Sequence, residues 1–202
     1  DAGVFAGARW LHLTGITPAL SKAAGAATIR ARDVARDAGL QVSLDINLRR
    51  RLWSDAAAAP TLRDLTAGVD LVLGSPDELA VLADADAHAD PAELAAAVLT
   101  LGPGTVVAKL GPDGAVGLEA GATPALVPAV AVPVVVDPVG AGDAFCAGFI
   151  AGRLDGVDLE TALRMGNGCG ALAVAAVGDQ AGLPDRAELG RLLAGGGADT
   201  LR

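Results

Sequence analysis

The sequence has no tyrosine, only 2% aromatic residues, and two cysteines among its 202 residues. Cys146 and Cys169 are too few for a disulfide framework, which indicates a reducing compartment and predicts a cytoplasmic protein. Charged residues interrupt every apolar stretch before about 20 residues, so we expect no membrane-spanning helix. Basic residues are also scarce: 15 Lys and Arg against 24 Asp and Glu give a net charge of -9. This balance argues against a nucleic-acid partner and an anionic membrane surface.

Several common site signatures are also missing. No Gly-x-x-x-x-Gly-Lys-[Ser/Thr] run occurs in the chain, which excludes a Walker A loop. A dinucleotide fingerprint fits the glycines near Gly140 poorly, because Phe145 stands where a third small residue is needed. His12 and His88 lie far apart and form no zinc spacing with the cysteines.

Short apolar or β-branched runs alternate with longer amphipathic segments, and this alternation predicts an α/β fold. No linker or repeat interrupts the chain, so we expect a single domain over residues 1–202. Because Asp1 replaces an initiator Met and Val4–Thr14 resembles interior sequence, we also expect a fragment of a larger fold. The segments predicted as strands are Trp10–Thr14, Gln41–Ile46, Asp70–Leu73, Thr105–Leu110, Ala115–Leu118, Ala125–Val127 and Val130–Val136. The segments predicted as helices are Ser21–Ala38, the one opened by Ser75, Pro91–Leu101, Gly140–Arg153, Leu159–Val177 and Asp185–Leu193.

A glycine-rich loop connects the apolar run Val134–Val136 to a helix that opens at Gly140-Ala141-Gly142-Asp143. The backbone N–H groups and positive dipole end of such a helix start suit an anion. A carboxylate about 4 Å from a phosphate charge costs roughly 4 kcal/mol, so a simple phosphate loop would avoid Asp143. Its presence is explained if Asp143 takes the proton of a hydroxyl that attacks phosphorus, while the loop amides stabilise the developing charge. The structural alternative is that Asp143 only caps its helix.

The run Asp137–Phe145, followed by Ala147-Gly148-Phe149, resembles the C-terminal signature of the ribokinase-like (PfkB) carbohydrate kinases. The similarity extends from about Leu11 to Pro184. It implies a three-layer ribokinase-like fold with a mostly parallel central sheet, here without its N-terminal strands and lid. It also implies that Asp143 is the catalytic base and that Gly140, Ala141 and Gly142 form the anion hole. The expected ligands are ATP, Mg²⁺ and a sugar or sugar acid.

The same resemblance allows a monovalent cation such as K⁺ near the Asp137 and Val139 backbone. It also allows a homodimer of the complete protein, because family lids often pair between subunits. Neither expectation follows from the residues alone.

Lys109-Leu110-Gly111-Pro112-Asp113-Gly114 resembles the family's nucleotide loop. A strand that ends in Lys109 before a turn containing Gly111 and Gly114 can place an ammonium and backbone amides against a polyphosphate. The alternative is a hairpin turn with a solvated lysine. Asn167, within Met165–Ala171, matches a family position beside the adenine.

Ser75-Pro76-Asp77-Glu78 stands where the family often has Asn-x-x-Glu, whose glutamate helps to organise magnesium and its waters. The resemblance therefore implies a nucleotide contact for Ser75 and a metal role for Glu78. A capping box explains both residues without any function.

Asp45–Trp53 resembles the D-x-N-x-R-x-x-L-W run of 2-keto-3-deoxygluconate kinases and fructokinases. Arg49, just past a strand end, can bind the carboxylate of a sugar acid with two parallel N–H bonds, and Asn47 lies along the same cleft by resemblance. A solvated basic turn is the alternative, and it suits Arg50 and Arg51 better than Arg49.

Asp179 stands where sugar-acid kinases can have a sugar hydroxyl contact, with a surface turn as the alternative. Together with Pro138, which many members replace with Thr, it favours 2-keto-3-deoxygluconate, phosphorylated on its terminal hydroxyl. A fructokinase and a non-catalytic nucleotide- or sugar-binding relative remain the alternatives.

Overall fold

The computed structural model describes residues 2–195. The chain folds into two compact units, one of residues up to 108 with 118–124, the other of residues 109–117 with 125 onward. The strands are β1 Trp10–Thr14, β2 Gln41–Asp45, β3 Leu71–Gly74, β4 Thr105–Lys109, β5 Ala115–Glu119 and β6 Ala125–Val127. The helices are α1 Ile16–Leu20, α2 Lys22–Asp37, α3 Asp55–Thr66, α4 Pro76–Ala83, α5 Pro91–Leu99, α6 Ala141–Asp155, α7 Leu159–Ala173 and α8 Arg186–Leu193. Within residues 2–195, no helix is long and apolar enough to cross a bilayer.

Parallel strands β1 to β4 form the core of the first unit, each beside the next in chain order. Leu44, Val72 and Val107 on these strands are completely buried, as expected for parallel strands covered on both faces. Strands β5 and β6 pair antiparallel. The chain therefore has the α/β class and mostly parallel sheet that the sequence predicts. The loops after β2 and β3 leave the carboxyl ends of adjacent parallel strands, the edge at which ligands bind in open α/β sheets.

Helix α3 has no counterpart among the predicted elements. It begins after Ser54, whose Oγ accepts a hydrogen bond from the Ala57 N–H, and it contains Pro60 in its first half. Its completely buried residues lie at the spacing of one helical face and are Ala58, Leu62, Leu65 and Thr66. Because α3 starts at Asp55, it begins directly after the loop that carries Arg49.

In the second unit, α6 and α7 pack closely through glycines. A Cβ at Gly148 would lie 2.6 Å from the Cys169 Sγ, and a Cβ at Gly166 would lie 2.9 Å from the Phe145 ring. Side chains at these positions would push the helices apart, so the glycines are required by packing. This packing fixes the helix whose first turn carries Asp143.

The strand predicted at Val130–Val136 is wrong, because the structure has no regular element there. Pro133 has no N–H for a ladder bond. The N–H groups of Val136 and Asp137 instead donate to the Val174 carbonyl, at 2.8 and 3.2 Å. Val134 and Val135 are 66% and 60% exposed. The apolar run therefore forms an extended loop that leads into α6.

Candidate active site

A tight glycine turn follows Lys109 in the second unit. Gly111 has φ +60° and Gly114 has φ +104°, conformations that favour glycine. A Cβ at Gly114 would lie only 2.1 Å from the Val127 carbonyl oxygen, so no larger residue fits there. The Leu110 N–H closes the turn by donating to the Gly114 carbonyl at 2.8 Å. The backbone of residues 109–114 thus forms a hairpin turn, which is the backbone that the alternative to a nucleotide loop predicted.

The Lys109 side chain, however, is half-buried against the start of α6 rather than solvated. Its Nζ lies 3.8 Å from the Cys146 Sγ. A Cβ at Gly142 would lie 3.6 Å from the same Nζ, so the ammonium stands beside the first turn of the helix. Lysine charge and the positive end of the helix dipole therefore favour an anion at one place.

Helix α6 is capped by Gly140 in the left-handed conformation, at φ +80°. Asp143 is its third residue, and the carboxylate is exposed. The helix-cap alternative for Asp143 is therefore wrong, because another residue occupies the N-cap position. Within residues 2–195 the Asp143 carboxylate makes no hydrogen bond or ion pair, which leaves it available to accept a proton.

The Asp137 carboxylate holds the loop before α6. Its Oδ1 accepts a hydrogen bond from the Val139 N–H at 3.0 Å, and its Oδ2 accepts one from the Gly178 N–H at 3.0 Å. These two bonds hold the pKa of Asp137 below its usual range. A Cβ at Gly140 would lie 2.9 Å from the Asp179 Cα, so Asp179 packs directly against the loop before α6.

A cavity of about 670 Å³ opens between these elements of the second unit. This volume is in the range of small-molecule sites. The predicted site residues that line the cavity are Lys109, Gly111, Gly114, Ala141, Gly142 and Asn167. The two glycine-rich segments, predicted separately from distant parts of the sequence, thus border one space.

Asn167 is buried, and its amide group has a structural task. Its Nδ2 donates to the carbonyl oxygens of Val127 and Pro128, at 3.1 and 3.0 Å. Asn167 therefore fixes the chain just after β6, and its role beside a nucleotide base stays a prediction.

In the first unit, both oxygens of Glu78 accept backbone hydrogen bonds. Oε2 accepts from the Ser75 N–H at 2.8 Å, as the capping box predicts, and Oε1 accepts from the Leu48 N–H at 2.7 Å. The Ser75 Oγ donates to the Asp77 carboxylate at 2.5 Å. Each carboxylate oxygen keeps a further lone pair, so Glu78 can still hold a magnesium-bound water.

No three His, Cys, Asp or Glu side chains cluster as a metal site among the residues that the structure describes. Magnesium bound with a nucleotide does not need such a cluster, because it is usually held by one or two carboxylates, phosphate oxygens and water. The single carboxylate of Glu78 therefore fits the magnesium expectation.

The loop after β2 exposes the Arg49 side chain and places Asn47 at φ +39°. The Arg49 carbonyl accepts from the Leu52 N–H at 2.8 Å, which closes a turn. Arg50 is exposed, as the solvated-turn alternative predicts, and its guanidinium also pairs with Asp55 and Asp77 at 2.9 and 2.8 Å. Sequence reasoning missed these pairs because Asp55 and Asp77 lie five and 27 positions from Arg50, and no motif links them to it.

Known proteins resemble this chain over most of its length. A 2-dehydro-3-deoxygluconokinase from Bacillus subtilis is 38% identical over 184 residues, which cover 91% of this chain and 56% of that protein. A 2-dehydro-3-deoxygluconokinase from Thermoproteus tenax is 37% identical over 198 residues, 96% of this chain and 57% of that protein. The chain thus spans less than two thirds of the length of these relatives.

Solved structures agree with the fold. A double-mutant fructokinase from Vibrio cholerae, bound to fructose, ADP and potassium ion, matches with a TM-score of 0.81 at 30% identity, over 91% of this chain and 60% of that one. An aminoimidazole riboside kinase from Salmonella enterica, complexed with aminoimidazole riboside and an ATP analog, matches with a TM-score of 0.79 at 30% identity, over 91% and 62%. The pfkB family carbohydrate kinase model matches residues 3–186. The chain therefore belongs to the pfkB family of carbohydrate kinases.

Proposed function

We propose that this chain carries the nucleotide-binding and catalytic part of an ATP-dependent sugar kinase. The observation that carries the proposal is the Lys109 ammonium beside Gly142 on the first turn of α6, with the exposed Asp143 carboxylate next in sequence. An anion-binding helix start and a free base at adjacent positions are the two groups that transfer of a phosphoryl group to a hydroxyl requires.

In the proposed reaction, Asp143 accepts the proton of the sugar hydroxyl as its oxygen forms a bond to the γ-phosphorus. The bond between that phosphorus and the bridging oxygen breaks, and ADP leaves. Lys109 and the amides of Gly140 to Gly142 stabilise the charge that develops on the transferred group. Asn167 and the glycine turn at Gly111 and Gly114 shape the proposed nucleotide cavity.

We assign Glu78 as the residue that holds the magnesium ion of the nucleotide through water. Such an ion, when bound, neutralises phosphate charge. The two backbone bonds of the Glu78 carboxylate fix its direction, which a residue with this task needs.

For the substrate we propose 2-keto-3-deoxygluconate, phosphorylated on its terminal hydroxyl. The exposed Arg49 guanidinium supports a sugar acid, because it can bind a carboxylate with two parallel bonds. The names of the Bacillus subtilis and Thermoproteus tenax relatives support the same compound. Asp179, which packs against Gly140, is the proposed contact to a sugar hydroxyl.

A fructokinase is the second candidate, favoured by the structural match to the Vibrio cholerae enzyme. An ATP-consumption assay of the protein across a panel of sugars and sugar acids separates the candidates. We expect the highest kcat/KM for 2-keto-3-deoxygluconate. Preference for fructose would overturn the proposed substrate, and ATP binding without turnover of any compound would leave a non-catalytic binding relative.

Arg49→Ala should lower kcat/KM for 2-keto-3-deoxygluconate by about 10- to 100-fold, because it removes hydrogen bonds to a charged group. Fructose has no carboxylate, so its kcat/KM should stay within about twofold. Arg49→Lys should give a kcat/KM for 2-keto-3-deoxygluconate between those of the wild type and Arg49→Ala, since an ammonium keeps the charge and loses the paired bonds. Steady-state kinetics with both sugars measure the effect, and equal losses on both would remove Arg49 from substrate selection.

A further inference from the structure

The loop that joins β2 to α3 is tied to the protein on both sides of Arg49. On one side, the Leu48 N–H donates to Glu78 Oε1 at 2.7 Å. On the other side, the Arg50 guanidinium reaches carboxylates at the starts of two helices. The Arg49 side chain lies exposed between the two attachments.

Arg50 makes three directed bonds with one guanidinium. Its Nε and Nη2 donate to the two oxygens of Asp55, at 2.9 and 3.2 Å, and its Nη1 donates to Asp77 Oδ2 at 2.8 Å. Asp55 is the first residue of α3, and Asp77 lies in the first turn of α4. A lysine cannot reproduce this pattern, because its ammonium lacks the planar fork.

These ion pairs contribute little to global stability. The side chains of Arg50, Asp55 and Asp77 are 50%, 43% and 48% exposed, and exposed pairs are weak and screened by salt. Their effect is local, since they restrict a loop between two rigid helix starts. Asn47, at φ +39°, shows that the same loop adopts a left-handed conformation that few residues accept.

We infer that Arg50, together with Glu78, is a positioning residue that holds the Arg49 backbone so that the Arg49 guanidinium meets the carboxylate of a sugar acid. Arg50 thereby sets the preference for acidic over neutral sugars. The inference rests on the proposed role of Arg49. It gives Arg50 a function that the neighbouring Arg51 does not share.

Arg51 offers a matched control, because it is an exposed arginine one position along the same loop, and no ion pair of Arg51 occurs within the described residues 2–195. Arg50→Ala should raise the KM for 2-keto-3-deoxygluconate about fivefold, with kcat and the KM values for ATP and fructose within about twofold. Arg51→Ala should change none of these values. Arg50→Lys should behave like Arg50→Ala, since charge alone does not hold the loop.

Amide hydrogen exchange tests the attachment without any substrate. Arg50→Ala should speed exchange at Leu48, Leu52 and Trp53, whose N–H groups bond within or beside the loop, and Arg51→Ala should not. Unchanged exchange in Arg50→Ala overturns the attachment. Faster exchange with an unchanged KM, or equal KM changes in Arg50→Ala and Arg51→Ala, overturns the positioning role.

A failure of the proposed substrate can be distinguished from a failure of the attachment of the loop by Arg50. A wild-type protein that phosphorylates only neutral sugars overturns the proposed substrate and, with it, the acid preference assigned to Arg50. The exchange comparison then still decides whether Arg50 holds the loop.

Discussion

Asp143→Asn is expected to lower kcat by about a hundredfold or more, as loss of a positioned general base does. Asparagine keeps the size of the side chain and its place in the first turn of α6, while it removes the group that accepts the proton. Because Asp143 makes no cap hydrogen bond, the fold loses only the attraction between a carboxylate and the helix dipole, about 0.3–1 kcal/mol. The KM for ATP should stay within about twofold, because the Lys109 site remains. Single-turnover and steady-state kinetics measure both values.

Glu93→Gln is the matched control, since Glu93 is also an exposed carboxylate at the third position of a helix, in α5. Both substitutions remove the same dipole interaction, so both should shift the melting temperature slightly and by a similar amount. Only Asp143→Asn should reduce turnover. A turnover of Asp143→Asn close to that of Glu93→Gln would withdraw Asp143 as the base.

The parts of the site that could be predicted are local in sequence. The loop at Gly140–Asp143 and its helix are contiguous, so their order already gives the proposed anion site and the neighbouring carboxylate. The hydrogen bond between Glu78 and the Ser75 N–H spans only three positions and follows from capping chemistry. Local order thus determines these contacts before any tertiary structure is known.

The contacts that could not be predicted join distant segments. Glu78 reaches Leu48 thirty positions away, and Arg50 reaches Asp77 twenty-seven positions away. Helix α3 was missed because its alanines and Pro60 hide the apolar period, which only Leu62 and Leu65 mark clearly. These features depend on which strands are neighbours in the sheet, and a short sequence motif carries no information about strand order.

At Val134–Val136 the sequence predicts a strand that the structure does not contain. Three consecutive valines favour a strand by propensity, yet a strand also needs a partner for its N–H and C=O groups. In this structure the Val136 N–H has the Val174 carbonyl, at the end of α7, as its acceptor. This tertiary contact therefore outweighs the local strand propensity of the valines.

Gly140→Ala is expected to reduce kcat/KM by about a hundredfold. The Cβ of the alanine would lie 2.9 Å from both the Cα and the Cβ of Asp179, so the loop before α6 or the Asp179 segment must move. A displacement of about 1 Å in a catalytic group can cost that factor. Alanine at φ +80° also carries a backbone strain of about 1–2 kcal/mol, which by itself lowers stability.

Gly156→Ala is the control that introduces backbone strain without a steric clash. Gly156 caps the other end of α6 at φ +79°, and a Cβ there would meet nothing within 4 Å. Backbone strain should therefore lower the free energy of unfolding of the two variants by a similar amount. The melting temperature of each should fall by about 2–4 °C per kcal/mol. Turnover should fall only in Gly140→Ala, because only there does the added carbon displace the loop that we propose holds the transferred phosphoryl group. Equal turnover in the two variants would contradict the expected displacement of the Gly140 loop by the added carbon.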